Sequence, residues 1–156
     1  MPQAWRIVPR NRAEAAFDGE GARLFGGRWN SPGRAAVYLA GSRALAALEM
    51  LVHLNSTAAQ KIPYARFQVE IPDKFIEEWE RSSTALKDIL GPSINPISQV
   101  AGDEWLQEGI KPVLRIPSAV IPEEPNYLLN PRHPSFPSLK ISEPEPFAFD
   151  PRLVSL

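Results

Sequence analysis

Five side chains in this sequence have a type and setting suited to gripping an anionic, partly aromatic ligand and polarising a bond in it: Arg28, Tyr38, Glu49, Ser118 and Asn126. Arg28 lies in LFGGRWNSPG (24–33), where two glycines precede an arginine and a tryptophan and a turn follows at once. Gly26 and Gly27 allow positive φ or close backbone approach. In the turn Asn30-Ser31-Pro32-Gly33, Pro pre-sets φ and Gly follows it. A guanidinium at such a corner, ending one extended piece, suits bidentate recognition of phosphate or carboxylate. The same pair also fits an ordinary surface cation–π contact between Arg28 and Trp29. The glycine spacing is that of neither a P-loop nor a dinucleotide fingerprint.

Glu49 stands in the most helical segment, Arg43–Leu54, where nearly every other position is Ala, Leu, Met or Val. Such a helix is expected to be buried on all sides. A lone carboxylate there is costly unless it is paired or held neutral. A buried acid beside a cleft is a usual way to build a catalytic carboxylate; a Glu–Arg or Glu–His pair that only fixes packing is the architectural alternative. His53, one turn on, can tune Glu49 or simply pack. Tyr38, in VYLA, is either a core residue or a pocket wall. Ser118, in IPSAVIP, has no G-x-S-x-G elbow and so is no hydrolase nucleophile. It reads as a turn former, or as a hydroxyl that hydrogen-bonds a ribose or another site residue. Asn126 sits between Pro125 and Tyr127 as a further polar contact.

The elements that must position these residues are short. AWRIV (4–8) and AAVYLA (35–40) read as buried strands, and ARFQVEI (65–71) alternates, with Ala65, Phe67, Val69 and Ile71 on one face. Ser42 is the expected N-cap of the Arg43–Leu54 helix, and a weaker helix covers Ser98–Gln107 before the Gly109 stop. VLRIPSAVI (113–121) and FAFDPRL (147–153) are strand-like with interruptions. Twelve of the 17 prolines follow residue 90, which forbids long helices there. The pattern predicts one α+β domain of mostly antiparallel short strands with few helices, its core about residues 5–153.

Composition narrows the function classes. A net charge of −1 argues against broad nucleic-acid binding. Residues 1–43 nonetheless carry seven arginines against three acids, about +4, and the rest about −5. With no cysteine and only His53 and His133, disulfides, thiolate chemistry and a histidine-built metal centre are not expected. MPQAWRIVPR lacks the apolar core of a signal peptide, and the longest apolar candidate, ALAALEMLV (44–52), is too short to span a membrane. A soluble, cytoplasmic protein is expected.

Taken together, these pieces resemble the RES family, toxins paired with antitoxins that carry an Xre-type helix-turn-helix domain. The matches are Arg28 within GGRWNSPG, Glu49 within ALAALEMLVHL and Ser118 within IPSAVIP. Trp5 and Arg6, VYLA with Tyr38, GDEWL (102–106), the run at 126–134 and FDPRL (149–153) support them, in order, over nearly the whole chain. The resemblance implies a fold related to ADP-ribosyltransferases and NAD as substrate, with no permanently bound cofactor or metal. It implies cleavage at the nicotinamide–ribose bond, with water or phosphate as acceptor, or ADP-ribose transfer to a protein. It gives Glu49, Arg28 and Ser118 catalytic roles and makes Arg28, Tyr38, Ser118 and Asn126 the NAD contacts, while Trp5, Arg6, Trp29 and Arg152 frame the fold or pocket. An Xre-type antitoxin is the implied partner, without direct nucleic-acid or membrane binding. An inert nucleotide- or partner-binding module is the reading from a different class; a ribonuclease has little support.

Overall fold

The computed structural model describes residues 1–79 and 89–154. The alternating segment becomes strand β3 (Tyr64–Glu70), which pairs antiparallel along its length with β1 (Gln3–Pro9). Its apolar residues Ala65, Phe67 and Val69 are buried and Arg66, Gln68 and Glu70 half-buried, as period-2 alternation requires. On the other side of β1 lies β2 (Val37–Ala40), joined through Trp5↔Ala40, and β2 pairs in turn with β6 (Pro125–Leu129). Next come β5 (Val113–Pro117) and β4 (Ile76–Glu78); β7 (Lys140–Ile141) and β8 (Glu145–Phe147) both edge β3. Among the described residues these eight strands form one sheet, antiparallel throughout except at β4–β5.

Helices α1 (Glu20–Phe25), α2 (Arg43–Leu51), α3 (Thr57–Lys61) and α4 (Pro96–Glu108) complete an α+β fold. Ser42 caps α2 by accepting from the Leu45 amide at 3.0 Å. Asn95 caps α4 by accepting from the Ile97 amide at 2.8 Å, and Gly109, at φ 63°, ends it. No helix of the described residues is long and apolar enough to cross a membrane.

Residues directly opposite one another in antiparallel strands share a face. One face carries Ala4, Val37, Leu39, Val69, Tyr127 and Leu129 in a single buried cluster. The other carries two clusters. Trp5, Ile7 and Ala40 pack with Leu45 and Ala46 of α2, and Leu114, Ile116 and Leu128 pack with Trp29 and with Trp105 of α4. The candidate site lies at the seam between these two.

The structure corrects three local expectations and adds one strand. Helix α2 stops at Leu51, and only one side of it is buried, because it packs on a single sheet; Leu48 is 36% and Val52 61% exposed. The piece before the Gly26-Gly27 corner is the short helix α1, not an extended segment. FDPRL is not strand-like: after β8 the chain closes in a 3-10 turn at Pro151–Val154, where the proline has no N–H for a ladder. PNYLL, flanked by prolines, is a strand in the middle of the sheet, with Pro125 at its first position, where a missing donor is tolerated.

Candidate functional site

Ala40 of β2 and Ile116 of β5 both lie opposite Asn126 of β6, so Asn126 stands on the sheet face covered by α2. Glu49 comes down to it from α2. Its Oε1 accepts from Ser118 Oγ at 2.7 Å and from Asn126 Nδ2 at 2.8 Å. The serine has no freedom in this. Its oxygen already accepts from the Val120 and Ile121 amides at 3.1 and 3.0 Å, so its single hydrogen goes to the carboxylate. Ser118 is therefore both a turn former and a partner of Glu49, and it is fully buried. Glu49 itself is half-buried, and its Oε2 has no protein partner among the described residues. One carboxylate oxygen is clamped; the other is free to accept.

Asn126, the weakest of the five on sequence, thus becomes a direct partner of the acid. Its Oδ1 is buried without a hydrogen bond among the described residues, an arrangement that costs roughly 1–3 kcal/mol. His53 lies beyond the end of α2 and is exposed, with no hydrogen bond or ion pair to Glu49 among the described residues. No ion pair joins Glu49 to Arg28 or to any other cation among the described residues.

Tyr38, opposite Leu128 on the same face, lies two residues from Ala40, about 7 Å along the strand from the level of Asn126. Its phenol oxygen accepts from the Trp29 amide at 2.9 Å and donates to Asn30 Oδ1 at 2.7 Å. Burial raises its pKa above the ordinary tyrosine value, opposed in part by the hydrogen bond from Trp29 and the nearby Arg28 charge. Asn30 is wholly buried and gives its amide hydrogens to the Ala22 and Arg34 carbonyls at 2.9 and 3.0 Å. Tyr38 and Asn30 together hold the corner that carries Arg28. A Cβ at Gly27 would stand 2.7 Å from the Tyr38 hydroxyl, so the glycine there makes room for the phenol.

Arg28 and Trp29 part company. Trp29 is 1% exposed and packs edge-on against Trp79 at 5.1 Å, so the surface cation–π alternative does not hold. Arg28 is half-buried, and its Nη1 donates to the Ile89 and Ser93 carbonyls at 2.9 and 3.4 Å. Nε and Nη2 have no protein partner among the described residues, which leaves a donor edge for an anion.

Of the framing residues, Trp5 lies under Arg43, whose guanidinium stands 5.0 Å from the ring centre. Arg6 points to the opposite sheet face, where it donates to the Ala16 and Tyr38 carbonyls at 2.7 and 3.1 Å. Burial lowers its pKa to about 10, with Asp18 opposing. Arg152 pairs with Asp150 at 2.8 Å.

A separate cavity of about 540 Å³ is lined in part by Arg34, Gln107, Asn130, Arg132 and His133 and contains none of the five residues. Asn130 and His133 are occupied there with the Leu106 and Ile110 carbonyls at the end of α4. Among the described residues no three His, Asp or Glu side chains are grouped to hold a metal ion.

The model of the RES domain matches residues 3–150. The chain belongs to the RES domain family. Two relatives are similar over nearly their full length. The "Prs ADP-ribosylating toxin" of Sphingobium sp. (strain YBL2) is 38% identical over 96% of this chain and 95% of its own. "Toxin Res" of Yersinia enterocolitica is 40% identical over 96% and 97%. Among solved structures, the M. tuberculosis MbcT–MbcA toxin–antitoxin complex contains a chain that shares the fold at a TM-score of 0.75. It covers 98% of this chain and 86% of that one at 20% identity.

Sequence reasoning singled out the acid and its two donors but missed what holds the arginine. Asn30 reads only as a turn residue, Ser98 and Gln99 only as members of the weaker helix, and Asp103 only as part of GDEWL. The one signal was polar residues at helical spacing beside the GDEWL motif.

Proposed function

We propose that the chain is the toxin of a toxin–antitoxin pair and consumes NAD by splitting its nicotinamide–ribose bond. The observation that carries this reading is the Glu49 carboxylate, with Oε1 fixed by Ser118 and Asn126 and Oε2 left open at the seam of the sheet face. When the C1′–N bond breaks, its electron pair leaves with the ring nitrogen, nicotinamide departs neutral, and positive charge develops on the ribose. A carboxylate fixed beforehand stabilises that charge without reorganising at the moment of reaction. Oε2 is the oxygen that faces the ribose. The unused Nε and Nη2 of Arg28 hold a phosphate oxygen of the pyrophosphate. The Tyr38 ring walls the pocket, while its hydroxyl serves the corner.

An oxygen nucleophile then forms a bond to C1′ and loses its proton to solvent. Water gives ADP-ribose and inorganic phosphate gives its 1-phosphate. Incubating the purified chain with NAD and separating the products tests the reading. One nicotinamide released per NAD lost is expected; NAD intact after prolonged incubation with folded protein contradicts it.

A second reading is transfer of ADP-ribose to a protein, favoured by the name of the Sphingobium relative. The two differ only in the nucleophile, and a mass increment on a cellular protein separates them. The partner in this proposal is a cognate Xre-type antitoxin that covers the arginine-bearing pocket.

A further inference from the structure

Helix α4 is built the wrong way round for stability alone. Ser98 is 0% exposed and Asp103 lies turned inward to Ser31, while Ile97 and Val100 are 45% and 54% exposed. An amphipathic helix that served only the core would reverse these. The inward polar groups converge on residues 27–31, although Asp103 also lies 3.9 Å from the Arg34 guanidinium and Ser98 Oγ 3.0 Å from the Asn95 carbonyl. Gln99 Nε2 donates to the Gly27 and Asn30 carbonyls at 3.0 and 3.2 Å, and Ser98 Oγ donates to the Arg28 carbonyl at 2.6 Å. Asp103 accepts from the Ser31 amide at 2.9 Å and from the Ser31 hydroxyl. At Gly102 an added Cβ would stand 1.6 Å from the Trp29 carbonyl oxygen, so helix and corner touch with nothing between. Every residue from Gly27 to Ser31 is met by α4. The segment just before the helix takes the guanidinium itself, through the Ile89 and Ser93 carbonyls.

We infer that α4 is the positioning element for Arg28, with Gln99 and Asp103 as positioning residues that set the direction of its free Nε and Nη2 edge. This rests on the proposed function, in which that edge binds the pyrophosphate. An arginine that binds ground state and transition state alike changes KM more than kcat, and so should residues acting through it.

The test uses the full chain with Asp103→Leu, Asp103→Asn and Gln99→Leu, each alone and combined with Arg28→Gln. The leucine variants should raise KM for NAD about tenfold with kcat within a factor of three. Asp103→Asn, which keeps an acceptor, should recover most of the loss. In the Arg28→Gln background none should cost anything further, since interacting residues are non-additive. Equal fold losses in both backgrounds, or an unchanged KM, overturn the inference. Hydrogen exchange at the Trp29 amide reads the corner without NAD, because its own partner, Tyr38 Oη, is untouched. At least tenfold faster exchange in Asp103→Leu is expected. If wild type releases no nicotinamide, the proposed function falls alone, and exchange decides the inference: unchanged protection overturns it.

Discussion

At the scale of single residues, the arrangement depends on which atoms are already occupied. Ser118 has one hydrogen and two filled lone-pair directions, so it can do nothing but hold Glu49. Ser118→Ala removes a hydrogen bond to a charged group, worth about 1.5–3 kcal/mol. Nicotinamide release should fall by roughly ten- to a hundredfold, with far-ultraviolet circular dichroism unchanged; a rate within twofold of wild type contradicts the clamp. Tyr38 allows a pH prediction. Burial raises its pKa, so the folded chain keeps the phenol proton at a pH where the unfolded chain has lost it. That contribution is complete below about pH 10 and is lost as pH rises above it. Arg6, lowered to about 10, acts with the opposite sign in the same range. Tyr38→Phe removes only the first. The melting-temperature advantage of wild type over the variant should shrink between pH 9 and pH 11, and parallel curves would refute it.

At the scale of elements, legibility followed how local each signal was. The alternation of β3 and the Ser42 cap involve neighbours in sequence, and both were readable. The burial of α2 was not, because an all-apolar helix does not reveal that only one layer awaits it. β6 was hidden by Pro125, whose lack of an amide matters only inside a ladder. The candidate site divides the same way. Glu49 stood out as one acid in an apolar helix, whereas its pairing with Asn126 spans 77 positions and depends on sheet register. The corner carries its own prediction. Trp29 is buried against α4, and Trp29→Ala should destabilise the fold by about 3–5 kcal/mol. Chemical denaturation checks this; a loss below about 1 kcal/mol would mean that the indole is not a core residue.

At the scale of the whole molecule, Glu49, Ser118 and Asn126 meet because β6 lies between β5 and β2, with α2 across the face. A site assembled from such distant segments exists only when the sheet is complete. One unfolding transition is therefore expected, and NAD, bound to the folded chain alone, should raise its midpoint in step with ligand concentration. Glu49→Gln keeps the substrate intact while this is measured. Two separate transitions, or a midpoint indifferent to NAD, would contradict a single preformed site.

Stabilisation by the Glu49 carboxylate of the charge developing on the ribose is tested most directly by the rate of nicotinamide release by wild type and by Glu49→Gln. Glutamine keeps the shape and removes the charge. The account predicts sustained release by wild type and a drop of about a hundred- to a thousandfold in the variant, with NAD binding retained. Release by Glu49→Gln at the wild-type rate would contradict it.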